Sequence, residues 1–449
     1  MAKKLYYTFG NHMHWVDMEW LWGYFVLPAS IQDMLAYCRT SGVKGNINFD
    51  VPAYEKLASE NPEVLSQLQT AVADGTVEVV GGSYAQPYGL FHGGESNVRQ
   101  RVYGVQSVAR VLGTRPRTFW EEEFDFFPQL PQMLAGVGYK YASLFFQWTW
   151  HTPHIPQEEV PAVMWEGIDG SRLLAATRNA LSIHQWPEDF QEILAGEEIQ
   201  TMEGAGLVQW LELMPSPDWM CRSELMTPLL AQLSNDSRFA LEPVTLSEFL
   251  AAIQETATPR RYTMEEVYHG MSLGKNGDAF RRMSIEGESV LLAAEAVATI
   301  VGYFGRPYAH WDAYPTWELE EAWRELLTAQ HHDNDECEGL CGHVGRFSYE
   351  RSRSLATHVL RRSVEHLARR SAAEPGSTVV YNPLGFERRL LLPSSPEEVV
   401  VVPPLGYLTL PPGSGVNRDH LTLPPESGVS GSDKGPTEHS ELGLLPAEP

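Results

Sequence analysis

Four cysteines among 449 residues are too few for a disulfide framework. Cys38 and Cys221 stand alone, and Cys337 and Cys341 have no second pair with which to complete a structural zinc knuckle. A two-cysteine clip with His343 is the one metal reading they allow, and reduced bystander thiols are the simpler one. Positive charge is also scarce: 33 Lys and Arg face 58 Asp and Glu, for a net charge of −25 at pH 7. Such a chain repels phosphate backbones and anionic lipid, which argues against nucleic acid and membranes as partners. The sequence has no apolar run of about 18 residues and no secretory-type apolar region behind Met1-Ala2-Lys3-Lys4, so a cytoplasmic protein is expected. It has no internal repeat. A neutral partner such as a carbohydrate is not repelled, and 13 Trp, 18 Tyr and 17 Phe supply stacking faces as well as core. Whether the chain forms a homo-oligomer is left open.

With 43% hydrophobic residues, the chain can fill two or three packed units. From residue 5 to about 255, short β-rich runs alternate with helical stretches, the signature of βα units and an α/β fold. Leu5–Phe9 reads as the first strand. Asn61-Pro62 predicts a helix start, Val64, Leu65, Leu68 and Val72 its buried face, and Gly75 its stop. Val77–Val80 reads as a strand running into Gly81-Gly82, and Val98, Val102, Val105, Val108 and Leu112 mark the following helix. Thr118–Trp120, Tyr141–Phe146, Ala162–Trp165, Leu173–Thr177 and Leu207–Leu213 are further strands, with helices around 187–195, 222–234 and 246–254. Helical patterns then take over at 285–303, 316–330 and 347–371, followed by strands at Ser377–Tyr381 and Val399–Val402. The resulting division is a catalytic β/α region at 1–258, a helical bundle at 259–374 that completes the active site, the start of a β domain at 375–410, and a disordered tail of Pro, Gly, Ser and charged residues at 411–449.

Chemistry concentrates in three clusters: His12-Met13-His14-Trp15-Val16-Asp17-Met18-Glu19-Trp20, Trp120-Glu121-Glu122-Glu123-Phe124-Asp125, and His331-His332-Asp333-Asn334-Asp335-Glu336. The first two follow strands, as does Glu212–Asp218, and in parallel α/β folds the C-terminal ends of strands converge on one crevice. Imidazoles and carboxylates are ligands for a zinc-like cation, and carboxylates are the acids and nucleophiles of sugar hydrolysis.

These segments resemble glycoside hydrolase family 38, the α-mannosidases, over most of the chain up to about residue 410. The first cluster is similar to the family's His-x-His-x-Asp…Glu-Trp opening. Gly75–Tyr84 with Gly94-Glu95-Ser96-Asn97-Val98-Arg99-Gln100 resembles its Gly-x-x-Glu-x-x-Gly-Gly…Gly-Glu-Ser-x-x-Arg-Gln segment. Phe124 with Leu130-Pro131-Gln132, the Trp165–Ser171 hairpin, Trp323…Leu327…Gln330-His331-His332-Asp333, and Tyr381-Asn382-Pro383 are similar to further family elements in the same order. The resemblance implies a seven-stranded β/α barrel, a three-helix bundle and then β-sandwich domains, of which only a short opening β segment is present here. It also implies a metal-dependent retaining glycosidase that acts on α-mannosides or related α-glycosides.

Carried over residue by residue, the resemblance implies one divalent metal ion, zinc, held by His14, Asp17, Glu122 and His332, with Glu122 also the nucleophile. Glu265 or Glu266 is the implied general acid, with Asp218 and Asp278 as rivals. His12, Trp15, Tyr84, Asp218 and Asp333 are expected to contact substrate, and Gln86 is a weaker candidate for the same role. The chain departs from the pattern where Val16 adds a residue before Asp17, so that Asp17 needs a bulged strand end or is replaced by His12. It departs again where Glu stands at the nucleophile position, which a one-residue shift would move to Glu123. Two other readings stay open: a non-catalytic carbohydrate-binding or vestigial homologue, and a metal-dependent deacetylase on a related barrel.

Overall fold

The computed structural model describes residues 3–15, 23–120, 126–144, 156, 158–177, 206–211, 223–267, 277–303, 314–336, 340–371, 374–392 and 394–416. Asp17, Glu121–Glu123, Asp218, the helix expected at 187–195 and residues 417–449 lie outside the described residues.

In chain order the first part runs β1 (Lys3–Met13), α1 (Val26–Ser41), β2 (Gly45–Phe49), α2 (Val51–Glu60), α3 (Pro62–Ala73), β3 (Val77–Val79), α4 (Gly94–Leu112), β4 (Thr118–Trp120), α5 (Leu130–Val137), β5 (Tyr141–Ser143), β6 (Ala162–Glu166), β7 (Arg172–Ala176), β8 (Gly206–Leu211), α6 (Ser223–Ser234), β9 (Phe239–Pro243), α7 (Leu246–Ile253) and β10 (Thr258–Arg260). The second part runs α8 (Met264–Val267), α9 (Gly277–Tyr303), α10 (Thr316–Ala329), α11 (His332–Glu336), α12 (Leu340–Arg370), β11 (Thr378–Tyr381), β12 (Arg388–Leu392), β13 (Ser395–Val402) and β14 (Tyr407–Leu410).

β1 is the central strand of the first sheet. It pairs in parallel with β2, β8 and β9, and β2 pairs in parallel with β3. The second sheet has the order β10-β6-β7-β5-β4, parallel apart from the β6–β7 hairpin. Val80 bridges in parallel to Thr118, and the Gly81 N–H donates to the Thr118 carbonyl, so the two sheets join edge to edge into one curled sheet. Gly81 makes this junction possible. Its φ is +72°, and a Cβ there would lie 2.1 Å from Asn48 Oδ1.

Both faces of β1 are covered, as parallel sheets require. Leu5, Tyr7 and Phe9 enter one apolar core with Ile31, Met34, Ile47 and Phe49, whereas Tyr6 enters another with Phe249 and Leu250. Burying side chains of this size contributes roughly 1.5–3 kcal/mol each. The strands turn polar toward their C-terminal ends, where Asn11, His12, His14, Asn46, Asn48 and Asp50 are all buried. Helices α9, α10 and α12 pack around Leu291, Val297, Trp323, Leu326 and Leu360. The Trp323 indole N–H donates to Glu295 at 2.9 Å, so the buried ring leaves no polar atom unpaired. β11 pairs with β14 and β12 with β13, both antiparallel. The Ser414 carbonyl accepts from the Ser394 hydroxyl at 2.7 Å and closes this β segment.

The chain therefore has a mixed α/β fold built on a curled, largely parallel sheet with a helical layer behind it.

Candidate functional site

The polar ends of the strands meet the start of α11. β1 carries His12 and His14 to its C-terminal end, and the turn after α10 presents His331, His332 and Asp333. His331 bridges to Pro87 in an extended conformation and His332 opens α11, so these consecutive side chains face one centre. His14, His331, His332 and Asp333 are all buried and each offers a ligand atom, with those atoms within 4.8 Å of one another. His14 Nδ1 lies 3.3 Å from Asp333 Oδ2, and His332 Nε2 lies 3.8 Å from Asp333 Oδ1. The His331 and His332 rings stack at 4.3 Å, and His14 sits 4.7 Å from His331. His12 packs edge-on to His14 at 5.1 Å.

Burial keeps two of these rings, His12 and His331, neutral. Burial, followed by the neighbouring imidazoles, pushes His12 and His331 well below the ordinary histidine value. Neutral imidazole is the form that ligates a cation.

Backbone groups then distinguish the two adjacent histidines. His332 Nδ1 lies 2.8 Å from the Gln86 carbonyl. A carbonyl only accepts, so the His332 proton sits on Nδ1 and its lone pair on Nε2, facing the cluster. His331 Nδ1 accepts from the Asp333 backbone N–H at 3.1 Å, which places the His331 proton on Nε2. That Nε2 is buried with no hydrogen-bond partner among the described residues. His14 and His332, with the Asp333 carboxylate beside both, thus suit a site for a zinc-class cation, and His331 is better placed to donate a hydrogen bond.

The support around this cluster is polar and buried. The Trp15 N–H donates to Asp50 Oδ1 at 2.9 Å. Its ring packs against the core, beneath the Lys56 ammonium at 5.5 Å. Asn48 Nδ2 donates to the Trp120 carbonyl at 2.6 Å, immediately before the segment that contains Glu122. Gln86, whose φ is +49°, supplies the carbonyl that holds His332. Sequence reasoning gave no role to His331, Asn48 or Asp50. Their only signal is position at a strand end or beside an assigned histidine.

Other assigned residues lie in different surroundings. The Tyr84 hydroxyl donates to Glu55 at 3.2 Å and accepts from Arg324 at 3.2 Å, and burial drives its pKa upward. Glu266 accepts from the Thr263 N–H and the Arg260 guanidinium, each at 2.8 Å. Burial by itself would raise the Glu266 carboxyl, but those two donors outweigh it and hold the group below the usual carboxylate value. Glu265 and Asp278 are exposed. No helix among the described residues is long and apolar enough to cross a membrane.

Alpha-mannosidase 2C1 of Homo sapiens is 24% identical over 437 residues, covering 90% of this chain and 39% of the relative. Alpha-mannosidase G of Dictyostelium discoideum is 24% identical over 170 residues, covering 36% of this chain and 15% of that protein. The chain spans well under half the length of these curated relatives. Among solved structures, an alpha-mannosidase from Enterococcus faecalis superposes with a TM-score of 0.65 at 15% identity, covering 86% of this chain and 46% of that one. A family 38 protein from the same organism gives 0.61 at 16% identity, covering 87% and 44%. These likenesses confirm the mixed α/β fold. The Glycosyl hydrolases family 38 N-terminal domain matches residues 8–270, more than half of the sequence, and the chain belongs to glycosyl hydrolase family 38.

Proposed function

We propose that the protein is a metal-dependent retaining glycosidase that cleaves α-mannosides or related α-glycosides. The observation that carries this reading is the buried convergence of His14, His332 and Asp333 in a chain of this family. In the proposal the Glu122 carboxylate attacks the anomeric carbon and forms a glycosyl-enzyme. A carboxylic acid on the opposite side of the glycosidic bond protonates the leaving oxygen, then acts as base for the incoming water; the two carboxyl groups of such a pair stand about 5–5.5 Å apart. Glu266 is already committed to Thr263 and Arg260, so Glu265 is the proposed proton donor of the pair, with Asp218 and Asp278 as its rivals. His14, Asp17, Glu122 and His332 would hold a zinc ion that, when bound, grips the sugar hydroxyls and offsets charge at the reacting centre. In the proposal His12 and Asp333, beside His14 and His332, orient the sugar, with Trp15 and Asp218 assigned to it by resemblance; Tyr84 is engaged by Glu55 and Arg324 and acts as a support.

Turnover of an aryl α-mannoside tests the reading. Chelation is expected to abolish it and added zinc to restore it. Glu122→Gln should lower kcat by at least about a thousandfold, and a fluorinated mannoside should label the segment containing Glu122. Sugar binding without hydrolysis in metal-replete protein would instead identify a non-catalytic homologue.

A further inference from the structure

Gln86 is one of two non-glycine residues with positive φ among the described residues. At φ +49° its peptide turns so that one carbonyl meets two donors of the same residue, His332 Nδ1 at 2.8 Å and the His332 backbone N–H at 3.3 Å. The left-handed region disfavours side chains, so this conformation is held by its surroundings. The Gln86 N–H donates to Ser83 Oγ at 3.2 Å, and the next residue, Pro87, bridges to His331. The side chain reaches the other way. Its Nε2 donates to Asn48 Oδ1 at 3.4 Å, and Asn48 in turn donates to the Trp120 carbonyl at 2.6 Å. That second bond fixes the Asn48 amide, and with it the orientation of the Gln86 amide. One buried residue thus connects the late histidine pair, the end of β2 and the end of β4, where the acidic segment begins.

We propose that Gln86 is the positioning residue of the metal site, its left-handed backbone aiming a carbonyl that locks His332 with the proton on Nδ1 and Nε2 toward the cation. The inference rests on the metal reading given under Proposed function. It assigns to the backbone conformation of Gln86 a task that its side chain does not perform. The consequence is an inverted order of tolerance. Glycine, which has no side chain but is at ease at positive φ, preserves the carbonyl; valine, of a size to fit but β-branched, does not.

The test is zinc affinity, measured by competition with a chromophoric chelator on the full chain, with circular dichroism reporting the fold. Gln86→Gly should bind zinc within about threefold of the parent, and Gln86→Val should bind at least tenfold more weakly, the range associated with lost outer-sphere support of a ligand. Equal affinity for the parent and the Val variant would overturn the inference, as would equal weakening by Gly and Val. A second readout needs no variant: nitrogen-15 shifts of the metal-free parent should show His332 protonated at Nδ1. An Nε2-protonated ring would overturn the inference even if the valine variant fails to fold. A parent protein that binds no zinc would overturn the metal reading itself, and the inference with it. That outcome is separable, because it appears before any substitution is made.

Discussion

At the scale of single residues, the two adjacent histidines make opposite predictions. His332 has its lone pair on Nε2 because its Nδ1–H donates to the Gln86 carbonyl. His331 has its lone pair on Nδ1, already engaged by the Asp333 N–H. For His331 to ligate, it would have to give up that bond and shift its proton, at a cost of about 1 kcal/mol or more for a buried donor left unpaired. His332→Ala is therefore expected to weaken zinc binding by more than a hundredfold, and His331→Gln by less than tenfold. Chelator competition on the two purified variants checks the order, and similar losses for both would refute the tautomer argument. The clusters that hold His14, His332 and Asp333 are legible in the sequence as groups of imidazoles and carboxylates, although Asp333 is expected there to contact substrate; the structure brings the three together. Gln86 is not legible in this role, since its contribution is a main-chain carbonyl and no side-chain pattern announces one. Asp17 and Glu122 rest on resemblance alone.

At the scale of elements, boundaries were legible where local chemistry sets them. Pro62 begins α3 and Val64, Leu65 and Leu68 are buried on it, with Gly75 at φ +79° just past its end, as the periodicity predicts. Where polar groups are buried, the pattern misleads. The pattern predicts a first strand ending at Phe9, but β1 continues to Met13, because Asn11 and His12 occupy positions inside the sheet. β2 carries no strand signal for the same reason. Its Asn46 spends its amide on Thr8 and the Phe9 carbonyl, at 2.8 and 2.9 Å, and the resulting strand lacks the usual β-branched composition. In α4 the apolar spacing points to Val98, which is exposed, while Asn97, Gln100 and Arg101 are buried. That face meets the last turn of α10, where Gln100 donates to the Leu327 carbonyl at 3.0 Å, and tertiary hydrogen bonding overrides the hydrophobic stripe. A local prediction belongs to α7. Thr245 and Glu248 form a reciprocal capping box, and Leu246, Phe249, Leu250 and Ile253 are buried behind it. Thr245→Ala should cost about 1 kcal/mol in urea unfolding, and Thr245→Ser only a few tenths. Equal stability of all three proteins would show that the cap contributes nothing.

At the scale of the whole molecule, the site lies on a seam between the curled sheet and the helical layer, so its geometry depends on how the two are joined. Charge bridges the outer seam: Glu55 of α2 pairs with Arg324 of α10 at 2.7 Å, and Arg99 of α4 with Glu295 of α9 at 2.8 Å. The inner seam is neutral. His92 Nε2 meets the Gln330 carbonyl at 3.3 Å, its Nδ1 meets Ser284 Oγ at 3.0 Å, and Gln330 Nε2 donates to Ser96 and Ser284 at 2.9 Å each. The carbonyl puts the His92 proton on Nε2, and the Ser284 hydroxyl donates to Nδ1, so both ring nitrogens are satisfied only in the neutral state. Burial, opposed in part by the Gln330 bond and helped by Arg101 and Arg281, lowers the His92 pKa from 6.5 to about 3. The sign follows from linkage. The unfolded chain takes up this proton as pH falls below about 6.5 while the folded chain refuses it, so His92 contributes its full stability above that pH and loses it progressively toward pH 3. The slope is about 1.4 kcal/mol per pH unit, or about 2 kcal/mol between pH 6.5 and 5, above the range where carboxylates dominate. Glutamine can meet the same two partners without titrating. His92→Gln should therefore unfold with a shallower loss of stability over this interval, gaining about that amount on the parent by pH 5. Urea titrations at pH 7, 6.5, 6, 5.5 and 5 measure the difference, and parallel curves would show that the inner seam is indifferent to protons.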